Sequence, residues 1–275
     1  MGRSSSNWSP VALTALLAAL AGAACGGSSP SAPSPPTPTP TLPPGGVCGT
    51  LGLTASGAIG ILNGSDCSPS NSAVVQLNMR DQSGSGVGSC SGTVITPRAV
   101  LTAAHCLASG VATVRVWLGS GDQIVTSTFA RHPSYTGMGA SSVDVGVVLM
   151  DEDLPRTPIP LLLNRDARVG EAAVVAGWGR DQSSVPATLR AGATTITGAS
   201  TTLLETQYGT NVSSVCSGDS GGPILVDEGG VWAIAGVTSA TSEAVCNTGT
   251  NYYVNLRNPT ISSFVLDMVP DARRR

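Results

Sequence analysis

Short runs rich in Val, Ile and Thr, each cut off by Gly, Asn, Asp, Ser or Pro, recur along most of this chain. They fall at Val74–Met79, Val111–Leu118, Ile124–Phe129, Val143–Met150, Ala172–Ala176, Thr194–Thr197, Pro223–Val226 and Val231–Ser239. Runs of this length and composition bounded by turn formers read as strands. The 34 glycines suit the tight turns between them. No helical periodicity alternates with the runs, so the pattern predicts an all-β fold, which on this evidence alone is either a sandwich or a barrel. One helix is expected near the end, with Asn258 as N-cap, Pro259 in the first turn and Ile261–Val269 following. The 275 residues suffice for one ordinary domain or two small ones.

Chemistry concentrates at Cys216-Ser217-Gly218-Asp219-Ser220-Gly221-Gly222-Pro223. A serine hydroxyl attacks poorly unless a base takes its proton and donors hold the oxyanion that forms. Here Ser220 sits among glycines, where backbone N–H groups approach a carbonyl without Cβ interference. The N–H groups of Gly218 and Ser220 are the natural donors, and Asp219 between them is a candidate buried carboxylate. A polar glycine-rich turn also occurs in many β proteins without any such role, so the partners decide. The chain has only two histidines. His105 ends the small, apolar run Val100-Leu101-Thr102-Ala103-Ala104, whereas His132, in Arg131-His132-Pro133, reads as an exposed loop residue. Asp144 heads the apolar run Val145–Leu149, where an unpaired carboxylate is costly to bury. It would fix the His105 tautomer and stabilise its imidazolium form.

Chain order then separates the serine hydrolases. Gly218-Asp219-Ser220-Gly221-Gly222 also satisfies the Gly-x-Ser-x-Gly elbow of α/β-hydrolases, but that fold needs a histidine after the serine and none follows Ser220. The subtilisin order needs an acid before His105, where Asp66 and Asp81 lack a comparable setting. The order His105, Asp144, Ser220 is that of chymotrypsin. From about Ile61 onward the chain resembles the trypsin/chymotrypsin-like serine proteases, as a bacterial, lipoprotein-anchored member. The matching pieces are Leu101–Cys106, the Asp144 strand, Gly177-Trp178-Gly179, Cys216–Pro223 and Gly236-Val237-Thr238-Ser239.

The resemblance implies two six-stranded antiparallel β-barrels with a short C-terminal helix. His105 and Asp144 would come from the first barrel and Ser220 from the second, with the cleft between them. It implies bridges Cys90–Cys106 and Cys216–Cys246, which leave Cys48 for Cys67, a bridge that would keep a pro-segment attached. Ile61-Leu62-Asn63-Gly64 resembles the family's mature N-terminus, whose new ammonium inserts beside the aspartate preceding the nucleophile, here Asp219. A carboxylate buried there requires a cation on physical grounds too, and the chain contains no lysine. An arginine partner, or an exposed Asp219 in an uncleaved form, is the alternative. No Lys or Arg lies between Arg3 and Arg80, so release of Ile61 needs a cut after Gly60 by the protein itself or by a protease that accepts small residues. By the same resemblance Ser214 forms the floor of the specificity pocket. Ser239 bonds the triad aspartate, and Thr241 and Asn251 narrow the pocket. That combination favours small or medium uncharged side chains before the scissile bond.

The N-terminus sets the compartment. Arg3 followed by the apolar run Val11–Ala24 reads as a signal peptide over residues 1–24. It stops at Ala23-Ala24-Cys25-Gly26-Gly27, which resembles a lipobox with Gly22 in place of the usual Leu. Lipidation of Cys25 removes the odd one of seven cysteines; ordinary signal-peptidase cleavage with a free Cys25 is the alternative. Residues 25–47, dense in Pro, Ser and Thr, read as a tether able to hold a domain on the order of 60 Å from a membrane. Residues 48–60 read as a propeptide and 61–275 as the protease domain. The expected location is export to a bacterial outer membrane or cell surface, or secretion if Cys25 is not acylated. A net charge of −3 with 11% charged residues gives no basic face for nucleic acid. Protein or peptide substrates, a lipid anchor and a monomer are expected, with no metal and no organic cofactor. The rival reading is a catalytically silent binding or adhesion lipoprotein on the same scaffold.

Overall fold

The computed structural model describes residues 46–49 and 61–275, apart from 122, 138–142, 181–187, 210–211 and 247. The signal segment, Cys25, nearly all of the tether and Gly60 lie outside these residues. A helical turn, α1 (Gly46–Gly49), and a two-residue strand, β1 (Ser65–Asp66), precede the first sheet. That sheet contains β2 (Val74–Arg80), β3 (Gly86–Thr96), β4 (Ala99–Thr102), β5 (Thr113–Trp117), β6 (Ile124–Thr126), β7 (Phe129–Arg131) and β8 (Gly146–Leu149). The second contains β9 (Ala172–Gly177), β10 (Arg190–Ala199), β11 (Leu203–Gln207), β12 (Pro223–Asp227), β13 (Trp232–Thr241) and β14 (Thr250–Asn255). Helix α2 (Pro259–Met268) follows.

All the strand pairings are antiparallel. Each sheet counts seven strands rather than six, for two different reasons. In the second, β9 pairs with both β10 and β12, closing the circuit β9-β10-β11-β14-β13-β12; β1 is an addition on the free edge of β10. In the first, β6 and β7 are two halves of one bent segment, one lying on β5 and the other on β8. The bend is stitched to β8 by the Thr126 hydroxyl on Leu149 O at 2.8 Å and by Leu149 N–H on Thr128 O at 2.9 Å. Counted as one strand, that segment closes a six-membered circuit as well. Closure removes the unpaired edges that an open sheet would present.

Alternation chooses the face that each strand buries. In β5 Val114 and Val116 are buried while Thr113, Arg115 and Trp117 are partly exposed, the period-two pattern of a strand with one face in the core. Val75, Leu77, Val100, Leu101 and Val147 fill the first barrel; Val175, Ile196, Leu204, Ile224 and Tyr253 fill the second. Helix α2 starts where Asn258 Oδ1 accepts the Thr260 N–H at 3.0 Å, and it buries Ile261 and Val265. His132 is not an exposed loop residue: it is 4% exposed, its Nδ1 accepts the Ser134 N–H at 3.2 Å, and its ring packs edge-on against Phe264 of α2. Burial holds its pKa below the ordinary histidine value. Among the described residues no helix is long and apolar enough to cross a membrane.

Candidate active site

His105 sits on a single 3₁₀ turn, Ala104–Leu107, that continues β4. Ala103 and Ala104 are completely buried, so only small side chains let the turn pack this closely. Cys106 on that turn is bridged to Cys90 of β3. Strand β4 pairs with β8 with Thr102 opposite Gly146. Continuing that register past the ends of both strands sets Asp144 opposite Ala104, next to His105. The carboxylate, 0% exposed, makes three hydrogen bonds. Its Oδ2 lies 2.8 Å from His105 Nδ1 and accepts the Ser239 hydroxyl at 2.6 Å, while Oδ1 accepts the His105 N–H at 2.9 Å. The imidazole is therefore fixed at Nδ1, and its Nε2 edge is left for the cleft. That cleft is lined by His105, Ser220, Ser217, Ser239 and Thr241 among others.

Ser220 lies just before β12, in a turn whose shape is set from both barrels. Gly218 has φ +99°, a conformation that L side chains rarely adopt. Ser91, on β3 next to Cys90, binds this turn at several atoms. Its hydroxyl donates to Gly218 O at 2.8 Å and accepts the Trp178 N–H at 2.9 Å. Its own N–H donates to Ser220 O at 2.8 Å, and its O accepts the Thr102 hydroxyl at 2.8 Å. One serine of the first barrel thus fixes the position of the nucleophile turn of the second. Nothing in the sequence marked Ser91 except its place beside Cys90.

Asp219 is also 0% exposed. Its Oδ1 accepts the Gly179 N–H and its Oδ2 accepts the Cys216 N–H, both at 2.8 Å. A side chain at Gly179 would put its Cβ 2.5 Å from the Asp219 Cγ, which accounts for the second glycine of Gly177-Trp178-Gly179. Burial pushes the carboxyl up to about 6; the two amides and the charge of Arg190 act in the opposite direction. Ile61 is buried in the second barrel at φ +36°, and Leu62 pairs with Ser214. Among the described residues, the hydrogen bonds to the Asp219 carboxylate come from Gly179 and Cys216 and not from Ile61.

The residues proposed for the specificity pocket separate into two pairs. Ser239 and Thr241 line the cleft. Ser214 and Asn251 do not; both are completely buried behind it. Ser214 Oγ donates to Asn251 Oδ1 at 3.1 Å, Asn251 Nδ2 donates to Thr206 Oγ1 at 3.1 Å, and that hydroxyl lies 3.1 Å from the Tyr253 hydroxyl. The chain of bonds satisfies four buried polar side chains at once, which keeps them out of the cleft. Among the described residues the only carboxylate on the cleft lining is Glu243, whose backbone O accepts the Thr241 hydroxyl at 2.7 Å. Cys216 is bridged to Cys246, tying the nucleophile turn to the far wall of the cleft. Cys48 is bridged to Cys67, joining α1 to the segment after β1. Donor atoms of Cys90, His105 and Cys106 cluster within 4.8 Å, but the two sulfurs are joined to each other, so the group offers no thiolate to a metal.

The trypsin family model matches residues 61–264. A chymotrypsin of Phaedon cochleariae is 30% identical, the match covering 61% of this chain and 69% of that protein. Chymotrypsin-C of Bos taurus is 30% identical over 58% of this chain and 70% of its own length. Trypsin alpha-4 of Lucilia cuprina is 32% identical over 51% and 64% respectively.

Proposed function

This chain belongs to the trypsin family of serine proteases, and from that premise we propose that it is an endopeptidase acting through an acyl-enzyme, with Ser220 as nucleophile, His105 as base and Asp144 as orienting carboxylate. The observation that carries the reading is the Asp144 carboxylate, fully buried and holding His105 by both ring and backbone beside a cleft that Ser220 shares. In the first half-reaction Ser220 Oγ attacks the scissile carbonyl and its proton passes to His105 Nε2. The N–H groups of Gly218 and Ser220 take the oxyanion. The tetrahedral intermediate collapses as His105 returns the proton to the leaving amine. Water then attacks the ester by the same route, freeing the acid and Ser220. Asp144 keeps the ring in the tautomer with its proton on Nδ1 and offsets the imidazolium charge.

Small or medium uncharged residues before the scissile bond fit a cleft walled by Ser217, Ser239, Ala240 and Thr241. The preference rests on that wall and on the absence of an acidic residue at position 214, not on direct contact with Ser214. Processing after Gly60, pairing of the new Ile61 ammonium with Asp219, export, acylation of Cys25 and a tether over residues 25–47 complete the proposal. They rest on the sequence features described above. A fluorophosphonate probe tests the centre of it. The processed protein is expected to be labelled at Ser220 and to cleave peptides, with both lost in Ser220→Ala; an unlabelled, folded protein would favour the silent binding scaffold.

A further inference from the structure

A carboxylate taken out of water needs a cation or must give up its charge. Asp219 is fully buried, and the hydrogen bonds that it receives from described residues come from neutral backbone amides. Lysine is absent from the chain. The Ile61 ammonium exists only after a cut, and the described chain has Asp219 buried and Gly218 already at φ +99° without a bond from Ile61. Arg190 stands in the position to act. It opens β10, is 2% exposed, and its Nη1 donates to Gly179 O at 2.7 Å. The N–H of that same glycine donates to Asp219 Oδ1. A single residue therefore separates the guanidinium from the carboxylate, and its charge opposes the effect of burial on Asp219. On the other side, Arg190 Nε donates to Asp66 Oδ1 at 3.1 Å. Asp66 is held in place by its pairing with Arg190 in the β1–β10 ladder and by the neighbouring Cys67–Cys48 bridge.

With Ser220 taken as nucleophile, we propose that Arg190 is the resident cation of the nucleophile turn, a positioning residue that keeps Asp219 ionised and Gly218–Ser220 formed in the uncleaved chain, so that cleavage after Gly60 is not required for hydrolysis. Cleavage then adds a second cation to a turn that already has one. It stimulates activity modestly instead of switching it on. Asp66 and its disulfide-anchored strand hold the guanidinium in place from behind.

The test compares a Gly60→Pro chain, shown to be intact by mass, with the processed protein, reading the rate of fluorophosphonate labelling at Ser220. The intact chain is expected to label within about tenfold of the processed one. In the intact background Arg190→Gln is expected to slow labelling by at least about 100-fold, the scale of a lost oxyanion donor. Arg190→Lys is expected to restore most of it. Processed Arg190→Gln stays within about tenfold of the processed parent, because the Ile61 ammonium then serves Asp219. If the intact chain is inert while the processed one labels, the proposal falls and Ser220 stands as nucleophile. If neither labels, the hydrolytic reading falls with it. An equal loss in both forms of Arg190→Gln reduces Arg190 to a structural part and also overturns the proposal. Should Arg190→Gln fail to fold, the intact-against-processed comparison of the parent protein decides alone.

Discussion

Two carboxylates, Asp144 and Asp219, are both fully buried within one site and are accommodated in different ways. Asp144 is held in the first barrel by an imidazole, a serine hydroxyl and one amide. Asp219 is held in the second barrel by two amides, with an arginine one residue away. Backbone amides cannot exchange a proton with substrate or change rotamer, so they fix shape. An imidazole can take a proton and return it, so a carboxylate that meets one is coupled to chemistry. The difference separates the group that tunes the base from the group that moulds the turn around the nucleophile.

Replacing each acid with its amide breaks the comparison most sharply. Asp144→Asn is expected to lower kcat by about 10⁴-fold with KM little changed, because the amide favours the wrong His105 tautomer. The low-field proton signal of His105 Nδ1 should vanish with it. A loss of only a few-fold, measured by steady-state peptide hydrolysis, would put Asp144 on the structural side with Asp219.

Asp219→Asn is expected to cost less, about 10²–10³ in kcat/KM, the scale of a misplaced oxyanion donor. It carries a second signature in stability. Burial raises the Asp219 carboxyl from 3.8 to about 6, so the folded protein binds this proton more tightly than the unfolded chain. That contribution to stability is full below about pH 4 and is lost as pH rises through about 6, a change of about 3 kcal/mol. Urea unfolding of the uncleaved chain and of its Asp219→Asn variant across pH 4–7 reads it directly. The parent's advantage should shrink with rising pH, and a constant difference would mean that the carboxyl is not desolvated.

The same contrast explains how much of the site is legible in the sequence. His105 and Asp144 stood out because histidine is scarce here and an acid heading an apolar run must find a partner. Their juxtaposition follows from a local register, Thr102 opposite Gly146. The strands with β-branched runs were legible for the same reason, since composition and period agree. Strand β3 was not: Gly86-Val87-Gly88-Ser89-Cys90-Ser91-Gly92 looks like a loop, yet it lies along β2, with one irregularity at Val87. Partners on the barrel supply the hydrogen bonds that its composition does not predict. Ser91 and Arg190 were unreadable because each acts across the fold, Ser91 on a glycine 127 positions away. Ser214 and Asn251 show a third limit. Position in a motif says that a residue is near the pocket, but only the bond between their side chains shows that they face each other behind it.

Ser91 gives the smallest expected effect and the finest test of the division between the two acids. Ser91→Ala removes the hydroxyl that donates to Gly218 O and accepts the Trp178 N–H, leaving one buried and one partly buried backbone group short of a partner. The expected cost is about 1–3 kcal/mol in unfolding free energy. Activity should fall by less than about tenfold, since the Ser91 N–H still reaches Ser220 O and the turn keeps one of its two anchors. Because these bonds touch the Asp219 side of the site and not the Asp144 side, the His105 Nδ1 proton signal should keep its position while stability drops. A displaced signal in Ser91→Ala would mean that the two acids are not independent, and that the nucleophile turn and the base are positioned as one unit across the cleft.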